Sequence, residues 1–174
     1  DQIVIRNCLL HDAPADADVL KVSGSVDGLL IERIIAFNPG RRTSGSSCND
    51  YQEVVDIFGS GGVEGEPPPV RNVILRGSWL FHTDEVGGDW LIYSKINTEN
   101  IMYEGNLFGP SAGGGCGNPA VGIGTSEAGI PVADAAVVSH AIVRNNVFVD
   151  VHGDAALAVM NSDDTWVYNN TFYE

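Results

Sequence analysis

Basic residues, cysteines and long apolar runs are all scarce in this sequence. Lysine and arginine together number 9 against 23 aspartates and glutamates, and the formal net charge is −14. Because nucleic-acid phosphates require a basic surface, this balance argues against nucleic acid as a partner. Direct binding of an acidic polysaccharide would need bridging cations. No run approaches the roughly 18 apolar residues that would predict a membrane span.

Only three cysteines occur, which is too few for a disulfide-rich scaffold. Cys8 lies in an apolar segment, which is typical of a small buried side chain. Cys48 and Cys116 each lie in a segment rich in glycine and serine, where they could form a disulfide. A disulfide would fit secretion, and the acidic surface would favour solubility outside the cell. We therefore expect an extracellular or cell-surface location.

A short pattern is present six times along the chain. Each copy has alternating apolar residues, then a charged or polar residue with two small or polar residues, then an apolar pair. The copies begin at Ile3, Leu29, Val73, Ile101, Ala141 and Thr165. Their starts are separated by 26, 44, 28, 40 and 24 residues, so a unit of 24–28 residues has been lengthened twice. Such a repeat is typical of a solenoid.

The repeat predicts a coil of short strands. Each copy reads as two strands joined by a sharp bend, because apolar residues two apart flank a polar break. A third apolar run, at 19–22, 54–58, 90–93, 120–123 and 155–160, predicts a third strand in all but the last copy. Three strands per unit, stacked on the next unit, make a parallel β-helix. We predict an all-β protein in which residues 1–174 form one such domain of about six turns.

Aligning the six copies predicts which residues stack on one another. One inward column holds Ile5, Ile31, Leu75, Tyr103, Val143 and Val167, and a second holds Leu10, Ala36, Leu80, Phe108, Phe148 and Phe172. The bend column ends in Asn106, Asn146 and Asn170, whose amides could bond to one another. The next column alternates in sign, which avoids repulsion between neighbours, and reads Arg6, Glu32, Arg76, Glu104, Arg144. A two-sheet β-sandwich has many short strands too, but does not predict such columns.

The chain begins and ends inside a copy of the repeat. Each terminal unit would then expose unpaired backbone groups. We expect this chain to be a segment of a longer solenoid, or its ends to be covered by a partner such as a second copy.

Four long insertions interrupt the coil, at residues 39–52, 59–69, 109–119 and 126–135. Long loops on a rigid scaffold are frequent sites of function, although each of them could also be tolerated surface growth.

Ionisable residues crowd the first three units near the third strands. The two lysines of the chain, Lys21 and Lys95, both lie there, and Lys21 should lie beside Asp56 of the next unit, both facing outward. A salt-bridged solvent face is one interpretation. The other is a carbohydrate-acting site, with Ca²⁺ on Asp and Glu oxygens and a general base that is either His82 or a lysine of lowered pKa. A hydrolase with two carboxylates would use Asp56 with Asp18 or Glu53.

Nine residues are therefore candidates for a site. They are Lys21, Glu53, Asp56 and His82 for catalysis, Asp12, Asp84 and Lys95 for substrate binding, and Asp16 and Asp18 for a metal ion.

The repeats resemble the right-handed parallel β-helix repeat proteins of the pectate-lyase-like superfamily. The resemblance is carried by segments such as 142–148 and 166–172 and covers nearly the whole chain, and the segment 11–21 looks like those of secreted members. It implies a right-handed coil with an asparagine ladder at one bend. It leaves function open, because this fold hosts lyases, hydrolases, epimerases, tailspikes and adhesins.

The closest lyase comparison is the chondroitinase-B and alginate-lyase type, which uses carboxylates on Ca²⁺, a lysine base and an arginine about one turn later. Lys21 and Arg42 are 21 residues apart, but Asp16 and Asp18 stand where that family has glutamates at another spacing, so the motif is not matched. Two functions remain. One is a polysaccharide lyase or glycoside hydrolase acting in a groove on the outer face of the coil, and the other is a non-catalytic surface or structural β-helix, adhesin- or tailspike-like, that binds glycans.

Overall fold

The computed structural model describes residues 2–40, 52–59, 70–83, 90–111, 119–124 and 138–174. These residues form short β-strands and contain no helix. In chain order the strands are β1 (Ile3–Arg6), β2 (Leu9–His11), β3 (Leu20–Ser23), β4 (Asp27–Glu32), β5 (Ile35–Phe37), β6 (Val55–Phe58), β7 (Val70–Arg76), β8 (Trp79–Phe81), β9 (Ile92–Ser94), β10 (Thr98–Glu104), β11 (Leu107–Phe108), β12 (Val121–Ile123), β13 (Val138–Arg144), β14 (Val147–Val149), β15 (Leu157–Val159), β16 (Ser162–Tyr168) and β17 (Thr171–Tyr173).

Every third strand belongs to the same sheet. The first sheet has the order β1-β4-β7-β10-β13-β16, the second β2-β5-β8-β11-β14-β17 and the third β3-β6-β9-β12-β15. All pairings between these strands are parallel. This arrangement fits a parallel β-helix and confirms the all-β prediction. The sandwich alternative is wrong, because its strands would pair largely antiparallel.

The strand register confirms the columns read from the sequence. Ile31 pairs with both Ile5 and Leu75, and Tyr103 pairs with both Leu75 and Val143. Inside the coil these columns form one hydrophobic core, in which most side chains of the middle units are fully buried. The charged column is also in register: an Arg76 nitrogen lies 2.8 Å from Glu32, and an Arg144 nitrogen lies 2.8 Å from Glu104.

The bend between the first and second sheets holds a ladder of asparagines. Asn106 Nδ2 donates to Asn146 Oδ1 at 3.0 Å, and Asn146 Nδ2 donates to Asn170 Oδ1 at 3.0 Å. The same oxygens accept backbone N–H groups of the unit before, as Asn146 does from Asn106 at 2.9 Å. The predicted ladder is confirmed, and it satisfies polar groups that the bend would otherwise bury unpaired.

Several predictions about loops and ends remain predictions. Cys48, Cys116, Arg42 and Asp84 lie outside the described residues, as do most of the four insertions. Whether the ends are covered by further turns or by a partner is likewise untested. Among the described residues, no helix is long and apolar enough to cross a membrane.

Candidate functional site

The candidate site lies on the outer face of the third sheet. In its first three strands, the register places Lys21 beside Asp56 and Asp56 beside Tyr93. Asp18 and Glu53 come just before β3 and β6, and the Glu53 backbone N–H donates to Asp18 Oδ1 at 3.2 Å. Parallel stacking thus brings together residues 35 positions apart in the chain. We call Asp18, Lys21, Glu53, Asp56 and Lys95 the carboxylate–lysine cluster.

Both lysines bridge carboxylates within this cluster. Lys21 Nζ donates to Asp56 Oδ2 at 2.6 Å and to Asp18 Oδ2 at 3.0 Å. Lys95 Nζ donates to Glu53 Oε1 and lies 3.3 Å from Asp56 Oδ1. Asp56 is therefore the central residue, since it is in contact with both ammonium groups. The pairing of Lys21 with Asp56 that the stacking predicts is confirmed.

The cluster is far more buried than its sequence positions indicate. Asp56 points outward from the coil as expected, but only 1% of it is exposed, and Glu53 is also buried. The side chain of Lys95 is 15% exposed, whereas that of Lys21 is 53% exposed. The prediction that Asp56 belongs to a solvent-facing surface is therefore wrong. Lys21 is the member of the cluster most open to solvent.

Two aromatic residues next to the cluster were not among the candidates. The rings of Trp90 and Tyr93 stack with centroids 4.2 Å apart, and Lys95 Nζ lies 4.9 Å from the centroid of the Tyr93 ring. An ideal Cβ built on Gly122, the next outward position, would be 2.5 Å from the Trp90 ring and 2.7 Å from the Tyr93 ring. The glycine thus leaves room for the stack. In this outward column Tyr93 is followed by Gly122 in the next unit. That pairing of an aromatic residue with a glycine is the sequence signal that could have revealed the stack.

The lysines are not suited to act as bases. Burial alone would lower the pKa of Lys21, but hydrogen bonds and charges of Asp56 and Asp18 outweigh it and raise that pKa. Burial likewise opposes the charged form of Lys95, and Glu53 and Asp56 raise its pKa well above the usual range. Both lysines are cationic at neutral pH. The raised pKa values argue against a lysine as general base.

A calcium ion fits the oxygen donors of the cluster but not its lysines. One oxygen from each of Asp18, Glu53 and Asp56 lies within 4.8 Å of the others, which is a suitable donor set for a hard cation. However, the two ammonium groups already contact all three carboxylates. In this arrangement the ammonium groups supply positive charge next to the carboxylates, and the calcium site stays a prediction.

Three other described candidates, Asp12, Asp16 and His82, are not members of the cluster. Asp16 is exposed and is not part of the group formed by Asp18 with Glu53 and Asp56. Asp12 is exposed at the end of β2, where it accepts hydrogen bonds from His11 at 2.7 Å and from Asn38 at 3.1 Å. Both hydrogen bonds lower the pKa of Asp12, and the one from His11 has the larger effect.

His82 is buried at the end of β8. Its Nδ1 lies 3.4 Å from Ser111 Oγ, and its Nε2 has no hydrogen-bond partner among the described residues. Burial lowers the pKa of His82 to about 4, so the ring is neutral at pH 7. A neutral imidazole is chemically a base, and this one is 1% exposed, as Asp56 is, so its role as a general base stays a prediction.

We expect the buried His82 to make the protein less stable in mild acid. The unfolded chain takes up a proton near the ordinary pKa of 6.5, whereas the folded protein does so only near 4. Unfolding thus becomes easier as pH falls through this window, by about 3 kcal/mol in total. Urea titrations of the wild type and His82→Gln from pH 7 to 4 measure this. The variant should lose most of that dependence, and identical slopes would contradict the assignment.

The comparisons with known proteins assign neither a family nor a function to the chain. Neither a protein-family model nor a curated protein matches the chain. Among solved structures, the chain is similar to the crystal structure of a candidate glycosyl hydrolase from Parabacteroides merdae ATCC 43184. The two share 8% sequence identity with a TM-score of 0.37, over 98% of this chain and 81% of that one. This similarity is too low to support a functional assignment.

Proposed function

We propose that the protein is a secreted, right-handed parallel β-helix of about six turns that acts on a polysaccharide as a glycoside hydrolase. The observation that supports this is the group of three carboxylates, Asp18, Glu53 and Asp56, with oxygens within 4.8 Å of one another on one outer face. Glycoside hydrolysis in most families needs two carboxyl groups on either side of the scissile bond. The right hand of the coil follows from the strong preference of parallel crossovers.

Hydrolysis suits the cluster better than elimination. A lyase needs a base that removes a proton from the sugar ring, and both lysines have raised pKa values. Two carboxylates can divide the work of hydrolysis, one as acid and one as nucleophile. Their closeness resembles retaining enzymes, in which the carboxyl groups are about 5 Å apart, more than inverting enzymes, which leave room for a water molecule.

The contacts suggest a division of roles. Asp56 is in contact with both ammonium groups, a setting that suits a carboxylate acting in its anionic form as nucleophile. Asp18 contacts a single lysine, Lys21, which is the exposed member of the cluster, so Asp18 is the candidate acid. Substrate entry requires Lys21 to swing away, which its exposure permits. Trp90 and Tyr93 form an apolar wall beside the carboxylates.

The experiment is a hydrolysis assay with carboxamide variants. Soluble polysaccharides of plant and algal origin are incubated with the protein, with and without Ca²⁺, and both reducing ends and unsaturated products are measured. We expect reducing ends without unsaturated products. Asp18→Asn and Asp56→Asn should each lower the rate by a factor of about 10² or more, while Asp154→Asn, an exposed aspartate outside the cluster, should not.

Circular dichroism of each variant separates loss of the fold from loss of chemistry. Activity that persists in folded Asp18→Asn and Asp56→Asn would place the site elsewhere. Unsaturated products in place of plain reducing ends would favour a lyase.

A second candidate function is glycan binding without catalysis. It is favoured by the near-complete burial of Glu53 and Asp56, whose ion pairs would equally well stabilise the third sheet. Absence of both kinds of product, together with retention of the protein by a polysaccharide, would favour this function.

A further inference from the structure

A second surface feature lies on the outer face of the first sheet, away from the carboxylate–lysine cluster. It is a groove with a volume of about 330 Å³, and its floor is a column of apolar side chains on β7, β10, β13 and β16. These side chains are Ile74, Met102, Ile142 and Trp166, which pair in register from strand to strand. Trp166 is 62% exposed. We call this feature the Trp166 groove.

A row of polar side chains borders the Trp166 groove. Asn72, Asn100, His140 and Asp164 occupy equivalent positions in their strands and have φ between 51° and 57°. This left-handed conformation is one that asparagine and aspartate tolerate better than most residues. The bend recurs on each strand, so the four side chains are stacked at the strand spacing of about 4.8 Å. The groove therefore combines an apolar floor with a regular polar edge.

The polar edge is bonded at both ends and open in the middle. Asn100 Nδ2 donates to Asn72 Oδ1 at 3.1 Å, and His140 Nδ1 is 2.8 Å from Asp164 Oδ2. No hydrogen bond joins Asn100 to His140 in the part of the chain that the structure describes. Asn100 Oδ1 and His140 Nε2 thus lie on neighbouring strands with hydrogen-bonding capacity to offer a ligand.

The indole of Trp166 is held in place by the same row. Its Nε1 donates to Asp164 Oδ1 at 2.7 Å, and Asp164 in turn holds His140. One carboxylate thus fixes both the aromatic ring and the imidazole. Because a fixed ring loses little freedom on binding, this arrangement is preorganised for a ligand.

We propose that the Trp166 groove binds an uncharged, extended polysaccharide chain lying along the axis of the coil. The apolar C–H face of a pyranose packs on the face of an aromatic ring, and its hydroxyl groups match amide, imidazole and carboxylate side chains. Successive pyranoses in an extended chain repeat at a length close to the strand spacing, so neighbouring sugars meet equivalent positions on neighbouring strands.

Charge decides between an uncharged and an acidic chain. Asp164 lies in the groove, and Glu99 and Asp163 are close enough to raise the pKa of His140 after the larger effect of Asp164. The whole chain carries a net charge of −14. An anionic polysaccharide would be repelled here, and we therefore commit to a neutral one.

A different aromatic row, on the second sheet, is less suited to sugar. Phe37 and Phe81 stack with centroids 4.7 Å apart, and Phe81 also packs against Trp79 at 4.5 Å, so these rings cover one another's faces. Trp166 has no such ring contact among the described residues. Its face is open to a ligand.

The groove goes beyond the proposed hydrolysis, since it shares no residue with the carboxylate–lysine cluster. It would hold a polysaccharide away from the site of cleavage, and it would do so whether or not the cluster is catalytic. A binding measurement tests it independently of any activity.

The test is affinity electrophoresis in gels that contain soluble xylan, β-glucan or galactomannan, with polygalacturonate as the anionic comparison. We expect retardation by at least one neutral polymer and none by polygalacturonate. Trp166→Ala should weaken retardation at least tenfold, and Asn100→Gly, which keeps the left-handed backbone accessible, should weaken it less. Tyr173→Ala is the matched control, because Tyr173 is a 68% exposed aromatic residue in the same unit but on the second sheet.

Several outcomes would overturn the proposal. They are absence of retardation by any neutral polymer, retardation by polygalacturonate alone, and equal loss in Trp166→Ala and Tyr173→Ala. A dimer that Trp166→Ala dissociates would instead assign the groove to a second copy of the chain. Asp56→Asn distinguishes the two proposals, because it should lower the rate of hydrolysis by a factor of about 10² or more while leaving retardation unchanged.

Discussion

Replacing Asp56 with alanine should lower the free energy of unfolding by about 3–5 kcal/mol, as expected when one member of a buried ion-pair network is removed. Asp56 is 1% exposed and contacts both Lys21 and Lys95. Without it, two ammonium groups would share the two remaining carboxylates of the cluster. Lys95 cannot turn to water easily, because its side chain is only 15% exposed. Urea denaturation followed by circular dichroism measures the change.

Graded variants test the origin of this effect. Lys95→Met should cost more than Lys21→Met, since Lys21 is the exposed lysine and its loss leaves Asp56 in contact with Lys95. Asp27→Ala is the control: Asp27 is paired with Arg71 at 2.9 Å, but both side chains are exposed. Its loss should cost far less than the loss of Asp56, because exposed ion pairs are screened by solvent. If Asp56→Ala cost no more than Asp27→Ala, the cluster would not stabilise the fold.

Replacing Asn146 with alanine should be nearly as damaging, by about 4 kcal/mol. The Asn146 amide makes four hydrogen bonds: it donates to the Tyr103 carbonyl and to Asn170, and it accepts from the backbone and the side chain of Asn106. Alanine would leave the buried Asn106 groups and the Tyr103 carbonyl without these partners. Each unsatisfied buried group costs about 1–3 kcal/mol. Urea denaturation again provides the measurement.

Two further variants separate the ladder from simple loss of volume. Asn146→Ser should recover part of the stability, because Ser78 occupies the same column and its Oγ both accepts from Ile34 N–H and donates to the Arg76 carbonyl. Asn170→Ala should cost less than Asn146→Ala, since Asn170 is only half-buried and water can replace its bonds. Equal losses for all three variants would mean that the amide bonds themselves contribute little.

The strand order, parallel pairing and register of the described residues could be predicted from the sequence. Inward columns such as Ile5, Ile31 and Leu75, the alternating charges and the asparagine ladder all follow from aligning six copies of one pattern. This works because parallel stacking of similar units places each residue beside its counterpart one unit away, so sequence alignment and spatial contact coincide. The same logic correctly paired Lys21 with Asp56.

The sequence could not determine what covers a strand position from outside. Period-two alternation separates inward from outward side chains, but it does not distinguish an outward residue in water from one that is buried. Asp56 is outward and buried, and its burial turned an expected solvent face into a closed network with lysines of raised pKa. Burial depends on what packs against the outer face from other parts of the chain, which no repeat pattern records.

The Trp166 groove shows the same limit for outward residues that are exposed rather than buried. Ile74, Met102, Ile142 and Trp166 were visible as apolar residues in outward positions, which is an available but unused signal. Only the tertiary structure places Asp164 between Trp166 and His140, since these bonds depend on left-handed bends that align side chains across strands. The sequence alone thus determined the coil and its register, because stacking is repetitive. The tertiary structure decided which outer residues are buried, hydrogen-bonded or open to solvent, because those contacts do not repeat from unit to unit.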